Sequence, residues 1–215
     1  MCDTLTAIET RRPILILQHP QERDETLGTA WLAHRMLVGS QLAVGLSWPS
    51  LAAALGRPAE PGRWGVLHPG PAGGPSSPLP PGLALLGRGG AARPLPAALR
   101  EELDGLVLLD GSWSQAKTLW WRNPWLLKAR RLALTPPAAS LYGALRREPR
   151  RDAVSTIEAA AYALAELEGR PALAALLLQP FAVLLERYRA AQKFTAARTS
   201  NRFGIHARRN GRASN

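Results

Sequence analysis

The sequence holds a single cysteine, Cys2, which excludes an intrachain disulfide framework and a cysteine-based zinc cluster. No apolar run approaches the roughly 20 residues of a membrane-spanning helix. The opening residues, "MCDTLTAIET", carry Asp3 and Glu9 before any apolar stretch, which is unlike a secretory signal. A cytoplasmic protein without membrane contact is expected. Neither G-x-G-x-x-G nor G-x-x-x-x-G-K-S/T occurs, which removes the usual cradles for nicotinamide dinucleotides and P-loop nucleotides. Acidic residues are scarce too: 16 against 27 basic ones, a formal net charge of +11. There is no internal repeat.

What is present is a globular composition, with 46% hydrophobic and 20% charged residues over 215 positions, enough for one domain with a full core. The basic excess favours a polyanionic partner such as RNA, DNA or an acidic membrane, against an arginine-rich background composition. Positive charge gathers at the C-terminus, where Arg187, Arg189, Lys193, Arg198, Arg202, Arg208, Arg209 and Arg212 follow one another without an acidic residue. A second cluster, Arg146, Arg147, Arg150 and Arg151, flanks Glu148 and follows Tyr142. Arginine clusters bind phosphates bidentately and release counterions. The aromatics Trp120, Trp121, Trp125, Tyr142, Tyr188 and Phe194 are of a kind that stacks on unpaired bases or packs in a core. The chain divides into a domain over residues 1–194 and a basic tail over 195–215.

Apolar periodicity predicts strands at 13–20, 41–48, 65–70, 106–110 and 130–135. Helices are predicted at 25–39, 95–103, 112–123, 155–169 and 172–193, the last kinked or broken at Pro180. "PGPAGGPSSPLPPG" (69–82) reads as a loop. Strands alternating with helices imply an α/β fold, a mostly parallel sheet with helices on both faces, whose ligands sit at the carboxyl ends of the strands. Asp110 ends one such strand just before a helix. It suits a base, an amine anchor or a helix cap, and Gly111 beside it lets a ligand approach the backbone. His19, Pro20 and Glu22 leave another strand end, and His68 a third, but their spacing fits no metal site, so no metal is expected. Ser155 and Glu158 have the spacing of a capping box.

These motifs together resemble the DTW-domain family. The signature stands here as "DGSWSQAK" (110–117), accompanied in order by "ILQHPQE" (16–22), "GTAWLAHRML" (28–37), "LHPG" (67–70), "SLYGALRREP" (140–149) and "STIEAAAYAL" (155–164). The resemblance spans roughly residues 13–190. It implies a tRNA-uridine aminocarboxypropyltransferase, which moves the 3-amino-3-carboxypropyl group of S-adenosylmethionine to uridine N3 and leaves methylthioadenosine. It also implies a SPOUT-like sheet with a C-terminal knot. Ser112 stands where the family has threonine and keeps the hydroxyl. The cysteine-rich opening of many members is reduced to Cys2, so a structural zinc is not expected. The resemblance puts Asp110 in the catalytic role. Leu67, Pro69, Gly70, Leu109, Asp110, Gly111, Ser112, Trp113, Ala116, Ser155, Thr156 and Glu158 are expected at the cofactor. His19, Lys117, Tyr142, Arg146, Arg147, Arg198 and Arg202 are expected at a tRNA partner, with no DNA. A SPOUT-type RNA methyltransferase and a non-catalytic RNA-binding protein are the other open readings.

Overall fold

The apolar run at 14–17 has no polar position to turn toward water, and it forms a strand covered on both sides: β1, Ile14–Gln18, buried throughout. β6, Gly105–Asp110, is built alike, with Leu106, Val107 and Leu108 buried. Such continuously apolar strands belong to parallel sheets sandwiched between helices. The structure, a computed structural model, describes residues 5–67, 79–87, 91–145 and 154–210, the last sixteen of them by backbone alone. Besides β1 and β6, the described strands are β2 (Gln41–Val44), β3 (Trp64–Leu67), β4 (Gly82–Leu86), β5 (Ala92–Pro94) and β7 (Arg130–Thr135). They form one sheet in the order β2-β1-β6-β3-β7-β4-β5. The first five run parallel, and β4 and β5 extend the β7 edge antiparallel.

Alternation along the strands splits the core in two. Ile14, Ile16, Leu106 and Leu108 meet α1 (Ala30–Met36), α5 (Thr156–Leu167) and α6 (Ala172–Asn210) on one face. Leu15, Leu17 and Val107 meet α2 (Leu51–Leu55), α4 (Trp113–Arg122) and the Trp125–Leu126 turn on the other. A short helix, α3 (Ala97–Glu102), leads into β6. The chain leaving β1 therefore crosses the first face through α1 and returns to β2. The chain leaving β6 crosses the opposite face through α4 and passes outward to β7. Connections that part in this way open a crevice at the carboxyl ends of the two strands, where such sheets bind ligands.

The centre of the sheet is tightly matched. A Cβ added at Gly105 would lie 2.6 Å from the Trp64 ring and 2.8 Å from the Pro13 carbonyl oxygen. Trp64 is buried, and the carbonyl belongs to the backbone, so neither yields cheaply. Gly105→Ala is expected to cost about 1–3 kcal/mol of stability by overpacking, read as a lower urea midpoint at unchanged slope.

Several elements differ from the sequence-based expectation. The hairpin β4–β5 had no predicted counterpart, because Gly87, Gly89 and Gly90 interrupt a short apolar run. The strand expected over 41–48 ends at Val44, where the chain folds back until the Trp48 ring lies 3.1 Å from the Cβ position of Gly45. α6 runs through Pro180 without a break, to Asn210. Proline there frees the carbonyl of Leu176, a residue 48% exposed, so water can satisfy it. Among the described residues, no helix is long and apolar enough to cross a membrane.

Candidate active site

Asp110 and Gln18 end adjacent strands and are paired in register, so their side chains project to the same face. Gln18 Nε2 donates to Asp110 Oδ2 at 2.8 Å. The other carboxylate oxygen accepts a short hydrogen bond from the Thr156 hydroxyl at the start of α5. The Asp110 carbonyl in turn accepts from His19 N–H at 2.9 Å. Asp110 is only 7% exposed, yet these two donors to its carboxylate are both neutral. Three separate segments (the β1 exit, the β6 exit and the α5 start) thus meet on one buried carboxylate.

The β6-to-α4 turn is laced to the β1 exit as well. Ser112 N–H donates to Gln115 Oε1 at 2.5 Å, and Gln115 Nε2 donates to Gln21 Oε1 at 3.0 Å. His19 caps the short turn Pro20–Glu22, its Nδ1 accepting from Gln21 N–H at 3.3 Å. Gly111 is required here for packing: a Cβ would sit 2.8 Å from Gln115 Cβ and 3.4 Å from His19 Cβ. Gln115 thus closes on the Cβ side of Gly111. Ser112 is exposed, with its hydroxyl 3.2 Å from that of Ser114. Trp113 is half-buried and carries the Lys117 ammonium 4.6 Å from its ring centre. Ala116 is buried in the first turn of α4, and strand alternation turns Leu109 toward the α4 face, away from Asp110. Leu67 packs on the α5 face.

At α5, the capping box forms as its spacing predicts, but Glu158 does more than cap. Its carboxylate is fully enclosed, and Oε2 accepts from Ser155 N–H at 2.7 Å, Ser155 Oγ at 2.6 Å and Ser140 Oγ at 2.8 Å. Oε1 accepts from Leu141 N–H at 2.7 Å. With these four donors on its carboxylate, Glu158 clamps the 140–141 segment to the helix. First-turn N–H groups are engaged too: Ile157 N–H by Thr29 Oγ1 at 3.3 Å and Glu158 N–H by Ser155 Oγ at 3.3 Å. The Tyr162 hydroxyl, one turn further, is held above its ordinary pKa by burial first and by the Glu158 charge second.

Tyr142, expected at RNA, is a core residue. It is 1% exposed, meets Phe181 edge-on at 5.1 Å, and donates its hydroxyl to the Leu27 carbonyl. A buried ring cannot stack on a base, so that expectation is corrected. Trp120 and Trp125 are buried as well, whereas Trp121 is exposed. Pro69, Gly70, Arg146 and Arg147 lie outside the described residues, as do the side chains of Arg198 and Arg202. Among the residues expected at the cofactor, Asp110 and the Ser155–Thr156 corner are brought together, through the Thr156 hydroxyl. Sequence reasoning missed Gln18, Gln115 and Ser140. Gln18 alone left a signal, as a polar residue closing an apolar strand.

The family profile described as the DTW domain matches residues 1–189. The chain belongs to the DTW family. The DTW chain is 40% identical over 79 residues to "tRNA-uridine aminocarboxypropyltransferase 2" of Drosophila melanogaster, a match covering 37% of this chain and 31% of that protein. It is 34% identical over 79 residues to the protein of the same name from Mus musculus, covering 37% of this chain and 26% of the relative. The match thus spans less than a third of the length of these curated relatives. No solved structure matches the chain. The DTW signature itself, Asp110–Trp113, is the turn between β6 and α4 described above.

Proposed function

We propose that this DTW protein transfers the 3-amino-3-carboxypropyl group of S-adenosylmethionine to N3 of a uridine in tRNA. The observation that carries the reading is the buried Asp110 carboxylate at the point where the sheet connections diverge, held by neutral Gln18 and Thr156. Neither of these two donors is a cation, and a carboxylate so oriented is of the right kind to receive a charge-assisted hydrogen bond from a ligand's α-ammonium group. The names of the relatives point to the same transfer.

S-adenosylmethionine supplies a sulfonium with three electrophilic carbons, so the product depends on which carbon is turned toward the nucleophile. Asp110 anchors the amino-acid arm through its ammonium, or takes the uridine N3 proton. Gln18 and Thr156 fix the carboxylate's direction. The backbone of Gly111–Trp113 forms one wall, and the motif "LHPG" (67–70), which begins at the last residue of β3, the strand beside β6, is assigned the cofactor contacts of Leu67, Pro69 and Gly70. Ser155 completes the α5 corner. His19 and Lys117, together with Arg146, Arg147, Arg198 and Arg202, serve tRNA. The knot of the SPOUT superfamily and a cytoplasmic location belong to this same proposal; the mostly parallel sheet is compatible with the former.

The test is purified protein with S-adenosylmethionine and tRNA, followed by nucleoside mass spectrometry. Methylthioadenosine and a uridine heavier by the aminocarboxypropyl group are expected. S-adenosylhomocysteine in their place assigns a methyltransferase, and calorimetry without cofactor binding assigns a protein that only binds RNA.

A further inference from the structure

Trp113, Lys117 and Trp121 stand at i, i+4 and i+8 on α4 and share one face of it. The two tryptophans are about 12 Å apart along the helix axis. With Ser114, Thr118 and Arg122 they line an open groove of about 450 Å³. Trp121 is 70% exposed, more than any other large apolar side chain among the described residues. Its neighbours Trp120 and Trp125 are each 6% exposed, so the helix and the turn after it bury two indoles and leave a third in water. The charges on α4 itself, Lys117 and Arg122, are both positive. Between Gly111 and Arg147 the sequence has no acidic residue, and Lys117, Arg122, Lys128, Arg130 and Arg131 fall in that stretch.

Flat exposed rings interleaved with cations match a single strand of nucleic acid, whose bases stack on the rings while its phosphates meet the cations. A duplex offers no unstacked base to an indole, and an apolar protein partner gives the cations nothing to neutralise. The groove also starts at the DTW turn itself, because Trp113 opens α4 three positions after Asp110. We propose that this face of α4 is a single-stranded RNA subsite, on which a nucleotide flanking the target uridine stacks on Trp121 while Lys117 and Arg122 meet its phosphates. The proposal rests on the reading that the protein acts on RNA, and adds where the strand lies and that it is unpaired there.

The test is binding of a single-stranded oligouridine of about 12 nucleotides, a length within ordinary single-strand site sizes, followed by fluorescence anisotropy. Trp121→Ala is expected to raise Kd roughly tenfold, and Trp121→Phe to recover most of the loss because a ring remains. Lys117→Gln and Arg122→Gln are each expected to flatten the dependence of log K on log salt by about 0.7. A duplex of the same length should bind with no dependence on Trp121. Equal affinity of wild type and Trp121→Ala overturns the subsite, as does wild type that fails to bind the oligonucleotide. A change in sedimentation with Trp121→Ala at constant RNA affinity also overturns it and assigns the face to a protein contact. The two readings separate cleanly. Modified tRNA with Trp121-independent RNA binding removes the subsite and keeps the transferase; Trp121-dependent binding without modified tRNA does the reverse.

Discussion

Asp110→Asn is expected to lower formation of the modified uridine by about 100-fold or more while leaving stability within about 1 kcal/mol of wild type. Asparagine is nearly isosteric with aspartate, and the site can accept it. Its oxygen can still receive the Gln18 amide, and its amide can donate to Thr156, since a hydroxyl both gives and receives. Only the negative charge goes. Calorimetry then separates the two roles open to this carboxylate. An anchor for the ammonium loses a charge-assisted hydrogen bond of about 1.5–3 kcal/mol, so the cofactor Kd rises roughly 10- to 100-fold. A proton acceptor loses turnover by about 10²- to 10⁴-fold with cofactor affinity unchanged. Wild-type rates with asparagine at this position would remove Asp110 from the chemistry altogether.

Two neighbours sharpen that experiment. Thr156→Val removes the hydroxyl from one carboxylate oxygen, and Gln18→Leu removes the amide from the other. Neither carries charge, so neither can substitute for the role of Asp110. Their effect comes from letting the carboxylate turn, which weakens orientation more than binding.

The strand ending in Asp110 was legible because four apolar residues followed by Asp-Gly-Ser-Trp leave few alternatives, and the parallel arrangement followed from strands apolar on both faces. Gln18 was not legible as a site residue. Its importance comes from the register that sets it beside Asp110, and register across a parallel pair separated by 92 positions is a property of the whole sheet. Tyr142 and Trp121 show the limit of reading aromatics from composition. Both occur in basic surroundings, yet Tyr142 is drawn into the core by Phe181 and the Leu27 carbonyl, while Trp121 points out from α4. Ser155 and Glu158 announced a cap by spacing alone. That the same carboxylate also gathers Ser140 and Leu141 depended on contacts 18 and 17 positions away that no local pattern encodes.

Those contacts make Glu158 the side chain whose loss should cost the fold most. Glu158→Ala is expected to destabilise the protein by about 3 kcal/mol or more, since four donors lose their acceptor and two are backbone N–H groups, that of Ser155 buried and that of Leu141 partly so. For a chain of this size that corresponds to a fall in Tm of roughly 6–12 °C. Glu158→Gln keeps one acceptor oxygen but turns an amide toward donors, so an intermediate loss is expected. The corner is also the route from fold to site. Ser155 precedes Thr156, and Thr156 reaches Asp110, so releasing the 140–141 segment loosens the partner that orients the carboxylate. Both variants should therefore lose activity in step with stability, and recover much of it on cooling well below Tm. The opposite result, full thermal stability with a raised cofactor Kd, would mean that Glu158 touches the ligand and that the clamp is not its main role.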